Sequence, residues 1–254
     1  NANNWLPIGV PDASTCVIIP PAPNTSNVLG TNYNGFGKTL QVINGGSLTI
    51  NPTNTVTITD FVEVRGPASV FNIENSGSLI QVNNVPNIGN VTYRRTANIR
   101  RQDYVYWSSP VSGFSNSAIS PGTSLGFQYK WLPTTGGINN FGNWAYANEV
   151  MINGKGYIVR GPDAFSTSVL TNYTAAFTGV PNNGNITVPI SRGTYDGVNY
   201  STGVSPTPGT KDDDNWNLVG NPYPSAINAI DFLTLNNNIT GFVNIWTHGT
   251  LPSN

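Results

Sequence analysis

Residues 38–85 alternate between apolar and polar positions in short segments that Gly, Ser, Asn or Pro separate. The segment Ile43–Ile50 resembles Ile73–Ile80, and two further alternating segments, Val56–Ile58 and Val62–Val64, lie between them. Because strands this short do not bury an apolar face alone, their close spacing and similar turns predict the stacked coils of a β-solenoid. The alternative is a set of ordinary meander strands in a sandwich, and we favour the solenoid.

The second part of the chain carries aromatic segments with the same period of two, separated by turns rich in Gly, Pro and Asn. This pattern predicts an antiparallel β-sandwich or jelly-roll domain. We therefore expect an all-β protein with a short solenoid-like region at residues 1–90. The sandwich domain spans residues 91–254, and we expect it to be incomplete at its C-terminal end. Its clearest strand segments are one that begins at Tyr104 and ends at Pro110, followed by Leu125–Trp131, Trp144–Tyr146 and Gly154–Arg160.

Residues 215–235 combine a strand, a rigid corner and a helix. Alternation predicts a strand from Trp216 to Gly220, and Pro222 and Pro224 then exclude both strand and helix interior. Ser225 is the predicted N-cap of a short helix over residues 226–235. None of these side chains is a nucleophile, a thiol or a histidine, so the stretch predicts a structural device.

Composition narrows the possible compartments and partners. The chain has 254 residues, only 9% of them charged, and a net charge of −1. Nucleic acid is not an expected partner, because phosphate neutralisation needs clustered Lys and Arg. No apolar run reaches the roughly 18 residues of a membrane span, so none is expected. The single cysteine, Cys16, excludes a disulfide within the chain, and we interpret it as a small buried residue at the start of a strand.

Four of the 11 basic residues lie within eight positions, at Arg94, Arg95, Arg100 and Arg101. One interpretation is a site for an anionic ligand. The favoured alternative is a junction at which these arginines stack on aromatic rings and pair with Asp103 and other carboxylates.

Residues that support catalysis or metal binding are scarce. The only histidine, His248, has no nucleophile motif beside it, and no spacing selects a pair of carboxylates. We therefore expect no enzyme activity and no cofactor other than a possible calcium ion. The calcium candidates are Asp212, Asp213 and Asp214, which supply the hard oxygen ligands that calcium prefers. The alternative is a solvated acidic turn.

Aromatic residues near Gly- and Asn-rich turns offer a different chemistry. Trp131, Trp144 and Tyr146, with Tyr200, are candidates for binding carbohydrate through their ring faces. The alternative is that they fill the core of the sandwich, as aromatic strand residues usually do. The sequence does not separate these two interpretations.

Three phrases resemble a known class of proteins: residues 103–111 with their Trp-Ser-Ser-Pro core, Gly154–Tyr157, and residues 215–225 with their Asn-Pro-Tyr-Pro-Ser core. In this order they resemble large adhesin-like surface proteins of gliding, Bacteroidetes-type bacteria, which the type IX secretion system exports. The resemblance implies an extracellular or outer-surface location, contact with the type IX translocon during export, and a later C-terminal sorting domain. It supplies no catalytic residues. We expect the chain to be a piece of a longer protein.

The sequence thus predicts a non-enzymatic extracellular protein for adhesion or display, exported as type IX cargo, with surface glycans as possible partners. The alternative is a carbohydrate-binding accessory region of a secreted polysaccharide-degrading enzyme. A hydrolase with an unrecognised carboxylate pair is the third hypothesis.

Overall fold

The protein is mainly β-structure, with one α-helix among its described residues. The computed structural model describes residues 2–21, 32–135, 142–193 and 216–239, together with two short strands at 200–201 and 206–207 and with residue 243. The prediction of an all-β fold is confirmed at this level.

The first eight strands are short and belong to three parallel sheets. Their sheet orders are β1-β3-β6, β2-β5-β8 and, for the third sheet, β4-β7, which a later strand extends. In chain order the strands are β1 (Cys16–Ile19), β2 (Asn34–Gly37), β3 (Thr39–Ile43), β4 (Ser47–Ile50), β5 (Thr55–Ile58), β6 (Val62–Arg65), β7 (Val70–Ile73) and β8 (Ser78–Gln81).

Equivalent positions of successive strands lie beside each other in these sheets. Gln41 of β3 lies beside Glu63 of β6, 22 residues further along the chain. The chain therefore visits each sheet in turn and returns to it after one circuit. The parallel pairing is continuous through β1, β3 and β6 and through β2, β5 and β8.

The apolar side chains of these strands point between the three sheets and form columns. Ile50 lies beside Ile73, and Ile73 lies beside Tyr93; Leu48 likewise lies beside Phe71. All five are buried, and Ile50 and Ile73 have no exposed surface. Because apolar residues at equivalent positions of consecutive circuits lie beside each other, each short strand buries an apolar face that it could not bury alone.

The remaining strands are longer or lie in antiparallel sheets. In chain order they are β9 (Val91–Ile99), β10 (Tyr104–Trp107), β11 (Gln128–Leu132), β12 (Asn143–Tyr146), β13 (Tyr157–Arg160), β14 (Thr171–Gly179), β15 (Tyr200–Ser201) and β16 (Pro206–Thr207). Single 3-10 turns lie at Ala2–Asn4, Asn116–Ala118 and Leu125–Phe127, and the α-helix α1 is Ala229–Leu235.

Strand β9 belongs to both parts of the chain. It pairs in parallel with β7 through Thr92 and Tyr93, and it pairs antiparallel with β14 along its whole length. The resulting sheet has the order β14-β9-β7-β4. One hydrogen-bonded sheet thus contains strands from both sides of the predicted domain boundary between residues 90 and 91.

A second antiparallel sheet, of order β10-β13-β11-β12, packs against β14. Trp107 of β10 contacts Phe177 of β14, with ring centroids 5.9 Å apart, and Phe114 lies 4.9 Å from the same ring. All three rings are buried. This contact joins the core of the second sheet to the core that contains the three parallel sheets.

The Asn-Pro-Tyr-Pro-Ser corner, residues 221–225, contacts the edge of β8. The backbone N–H of Leu79 donates to the carbonyl of Pro224 at 2.8 Å. The Tyr223 hydroxyl donates to the carbonyl of Gly184 at 2.7 Å, and the Asn182 amide donates to the carbonyl of Pro222 at 2.9 Å. The corner therefore gives Leu79, at the edge of β8, one backbone hydrogen-bond partner.

Two predictions around this corner are wrong in detail. Residues 216–220 form no strand, and their ladder contact is a single antiparallel bridge between Val219 and Lys155. The helix begins at Ala229 rather than 226, because Asn228, not Ser225, is its N-cap: the Asn228 side chain accepts the backbone N–H groups of Ile230 and Asp231.

Other sequence interpretations have mixed outcomes. Cys16 is exposed, not buried, because it lies on the outer face of β1 while Val17 points inward. The structural interpretation of the arginines is confirmed for three of them. The guanidinium carbon of Arg95 lies over the ring of Tyr93, 5.8 Å from its centroid. Arg94 pairs with Glu74 at 2.7 Å, and the buried Arg100 pairs with Asp103 at 3.4 Å. Among the described residues no helix combines the length and the apolarity that crossing a membrane requires.

Candidate functional site

The sheet β10-β13-β11-β12 has two faces of different character. Side chains of directly opposite residues on neighbouring strands point to the same face, and successive residues alternate between faces. The register therefore places six aromatic residues on the face away from β14. We call this set the aromatic face: Tyr104, Tyr106, Tyr129, Trp131, Trp144 and Tyr146.

Ile158 of the central strand β13 forms the floor of the aromatic face. It lies directly beside Tyr106 on one side and Tyr129 on the other, and it is only 8% exposed. On the opposite face of β13, Tyr157 and Val159 belong to the hydrophobic core. The alternation of β13 thus fixes which side of the sheet is core and which side carries the aromatic rings.

Three rings of the aromatic face are substantially exposed. Tyr146 is 71% exposed, Tyr106 39% and Trp144 37%. The solvent side of a half-buried antiparallel sheet normally carries polar side chains. A contiguous exposed apolar surface instead indicates a binding surface. The core interpretation of Trp144 and Tyr146 is therefore wrong, whereas Trp131 is partly buried.

The rings contact one another in a chain across three strands. Tyr104 lies 6.0 Å from Tyr129, and Tyr129 stacks on Tyr146 at 5.1 Å with 27° between the ring planes. Trp144 lies edge-on to Trp131 at 5.1 Å and to Tyr106 at 6.5 Å. Such pairs stabilise each other by about 0.5–1.5 kcal/mol, so the rings are held in place before any ligand arrives.

Trp131 is fixed by contacts from outside the sheet. Its indole N–H donates to the backbone carbonyl of Trp216 at 2.7 Å. Gly142 lies against the ring: its φ is +96°, and an added Cβ would lie 2.2 Å from Trp131 Cζ2. Glycine is therefore required at this position on both steric and backbone grounds. The side chain of Trp216 is itself 55% exposed.

Charge is nearly absent from the aromatic face. The four strands contain two charged residues, of which Lys130 points to the other face and pairs with Glu149. Arg160 lies beside Tyr104 but stacks on Phe127, with its guanidinium carbon 3.4 Å from the ring centroid, and pairs with Asp163.

Ionisable groups on both faces of the sheet have shifted pKa values. Burial raises the pKa of Tyr104 to about 12, and Tyr129 adds to the increase. On the other face, burial acts to raise the pKa of Glu149, but hydrogen bonds from Lys130 and Tyr157 outweigh it, so the pKa of this carboxyl is lowered. Both shifts therefore move the titration of these two groups further from neutral pH.

The remaining predicted site residues lie outside the described parts of the chain. These are the calcium candidates Asp212, Asp213 and Asp214, the side chain of Tyr200, and His248. Within the described residues no three His, Cys, Asp or Glu side chains are grouped so as to hold a metal ion.

Of the predicted glycan-binding residues, Trp131, Trp144 and Tyr146 come together on one face. The sequence interpretation missed Tyr104, Tyr106 and Tyr129 as members of the same face, and it missed the contact of Trp131 with the Trp216 carbonyl. A usable signal was present, because Tyr104 and Tyr106, and Tyr129 and Trp131, are spaced by two and must share a face of their strand.

No curated protein and no solved structure matches the chain. One family matches along the whole length of the chain, over residues 1–254, and it is described as a domain of unknown function (DUF8693). The chain therefore belongs to this family.

Proposed function

We propose that this protein is a non-enzymatic extracellular protein that adheres to glycans through its aromatic face. The observation that carries the proposal is the exposed, mutually packed set of rings on the solvent side of an antiparallel sheet. Tyr146 and Trp144 are the most accessible rings on its edge strand.

The chemistry of sugars fits such a surface. One side of a pyranose ring presents aliphatic C–H groups, and these pack on an aromatic ring face while the hydroxyl groups stay hydrated. Aromatic rings contribute large apolar contact areas and a negative ring face that attracts the positively polarised C–H groups. Because the rings already pack on one another, little side-chain entropy is lost when a sugar binds.

We further propose the finer architecture predicted from the sequence. Residues 1–90 would form a short β-solenoid and residues 91–254 a β-sandwich or jelly roll that carries the aromatic face. The three parallel sheets, in which paired residues of β1 to β8 lie 21–23 positions apart along the chain, support the first part. The packing of Trp107 on Phe177 between two sheets supports the second.

Location and export are proposed from the sequence phrases. The resemblance of residues 103–111 and 215–225 to Bacteroidetes-type surface proteins supports an outer-surface or released protein carried by the type IX secretion system. Intact-mass and copurification analysis of the protein from its own host tests this. We expect a mass above 27.1 kDa and attached secretion components; a free species of that mass contradicts the cargo proposal.

A glycan array tests the proposed binding function. We expect the wild-type protein to bind a defined group of glycans and Trp144→Ala and Tyr146→Ala to lose at least about tenfold in affinity, roughly 1.4 kcal/mol. The matched control is Phe36→Ala, which removes a ring of similar exposure, 46%, from strand β2. Absence of any glycan binding, or equal binding by all variants, contradicts the proposal.

The same face would also suit the alternative function, a carbohydrate-binding accessory region of a polysaccharide-degrading enzyme. The two are distinguished by turnover of polysaccharides with the full-length protein isolated from its host. Surface adhesion predicts binding without release of shorter sugars. Hydrolysis of a bound polysaccharide would favour the accessory role.

A further inference from the structure

We propose that the aromatic face takes a single chain of a neutral polysaccharide, rather than the flat surface of a crystalline one or an acidic glycan. This inference rests on the glycan-binding function proposed above. It follows from the relative inclination of the rings and from the distribution of charge around them.

The rings do not lie in one plane. The planes of Tyr104 and Tyr129 are inclined by 54°, those of Tyr106 and Trp144 by 61°, and those of Trp131 and Trp144 by 68°. A crystalline polysaccharide presents one flat face, and it contacts several rings at once only if their faces are coplanar. Inclined rings instead suit a chain whose successive sugars turn relative to one another.

The one nearly parallel pair does not provide a flat surface either. Tyr129 and Tyr146 stack on each other, with 27° between their planes, so each ring covers one side of the other. Tyr146 nevertheless remains 71% exposed on the edge strand. Its free side and the exposed part of Trp144, two residues before it on β12, therefore offer two separate stacking positions.

Charge complementarity argues against an acidic ligand. Uronate or sulfate groups are normally held by Arg or Lys side chains in bidentate or paired contacts. Arg160 is the one charged side chain of the four strands on the aromatic face, and it is committed to Phe127 and Asp163. On these four strands the groups that remain for the sugar are uncharged: aromatic rings, which pack on its C–H groups, and phenol hydroxyls, which hydrogen-bond to its hydroxyl groups.

Native affinity electrophoresis and pull-down assays test the inference. The probes are soluble glucomannan and hydroxyethyl cellulose as neutral chains, alginate and polygalacturonate as acidic chains, and microcrystalline cellulose and chitin as flat insoluble surfaces. We expect retardation by at least one neutral soluble polysaccharide, unchanged by added salt. Retardation should fall at least fivefold in Trp144→Ala and Tyr146→Ala and persist in Phe36→Ala.

Three outcomes overturn the inference, and they separate it from the function on which it rests. Binding to the crystalline probes alone, lost in the two ring variants, overturns the single-chain ligand but leaves glycan binding standing. Salt-sensitive binding to the acidic probes alone, lost in the same variants, overturns neutrality in the same way. No binding to any probe, or binding that both variants retain, overturns the inference and the proposed function together. Circular dichroism spectra of all variants establish that each is folded.

Discussion

At the scale of single residues, the phenol groups on the two faces of the antiparallel sheet share one physical property. Burial raises the pKa of Tyr104, at one end of the aromatic face, to about 12, and Tyr129 adds to this. Burial also raises the pKa of Tyr157, on the core face, to about 12, and its hydrogen bond to Glu149 contributes. Both phenols are therefore held neutral as hydrogen-bond donors well above neutral pH.

The pH dependence of stability follows from these two tyrosines. An unfolded tyrosine ionises near pH 10. Because the folded pKa is raised, the contribution to the free energy of unfolding is complete below about pH 10 and is lost as the pH rises toward about 12. Urea unfolding at increasing pH should show this loss, and ultraviolet titration should show Tyr104 and Tyr157 among the phenols that ionise late. Burial also raises the pKa of Tyr93, Tyr106 and Tyr173.

Phenylalanine variants test the assignment of late ionisation to the Tyr104 and Tyr157 phenols. Tyr104→Phe and Tyr157→Phe should each remove one late-ionising phenol from the titration. If all tyrosines instead ionise together near pH 10 while the protein stays folded, the burial argument for these residues is wrong.

Part of the candidate site could be predicted from the sequence and part could not. Trp131, Trp144 and Tyr146 could be predicted as site residues because aromatic residues near Gly- and Asn-rich turns suggest sugar contact. The sequence did not predict that these rings are exposed, because alternation places Trp144 and Tyr146 on one face of a strand without saying which face is core. That choice depends on the packing of Trp107 against Phe177, far along the chain.

At the scale of elements, register accounts for most of the order in the three parallel sheets. Column formation requires that Ile50, Ile73 and Tyr93 occupy equivalent positions of successive circuits. The sequence carried this information in the similar segments around residues 43–50 and 73–80. It did not show that a strand outside the repeat, β9, supplies the third member of the column.

A large-to-small substitution tests this account of the elements. Ile73→Ala removes a side chain with no exposed surface from the middle of a column, so it should lower the free energy of unfolding by about 2–5 kcal/mol. The matched control is Ile80→Ala on β8, where the side chain is 41% exposed. Its cost should be below about 1 kcal/mol, since little buried area is lost.

Denaturant unfolding of both variants measures the difference. Equal losses in Ile73→Ala and Ile80→Ala would contradict the inward orientation of Ile73 and with it the register of β7.

The short helix and the corner before it show where element prediction failed. Ser225 met the residue preference of an N-cap, but its backbone carbonyl accepts from the Asn221 amide within the corner. The capping role falls to Asn228, whose side chain reaches two backbone N–H groups of the first turn. Local preference identifies a helix nearby, whereas the tertiary contacts of the corner decide where it begins.

At the scale of the whole molecule, several connections join the regions that the sequence treats as separate, and two of them involve whole elements. Strand β9 continues the sheet of β7 and at the same time pairs with β14. The corner at residues 221–225 reaches back to Leu79 on β8 and is held by the buried amide of Asn182. The sequence predicts a structural role for the stretch that contains this corner. The corner connects β8, the last strand of the parallel sheets, to the part of the chain that carries the aromatic face.

This arrangement gives the proposed function a rigid support. The aromatic face lies on strands whose opposite side is core, so the positions of its rings follow from the packing of the molecule rather than from loops. Gly142 and the Trp216 carbonyl fix Trp131 from outside the sheet.

The most direct test of the account is titration calorimetry of the protein with an oligosaccharide identified on the glycan array. Wild-type protein, Phe36→Ala, Trp144→Ala and Tyr146→Ala are compared under identical conditions. The account predicts equal Kd values for the first two and Kd values at least about tenfold higher for the two ring variants. Equal Kd values in all four folded proteins would contradict the assignment of glycan binding to the aromatic face.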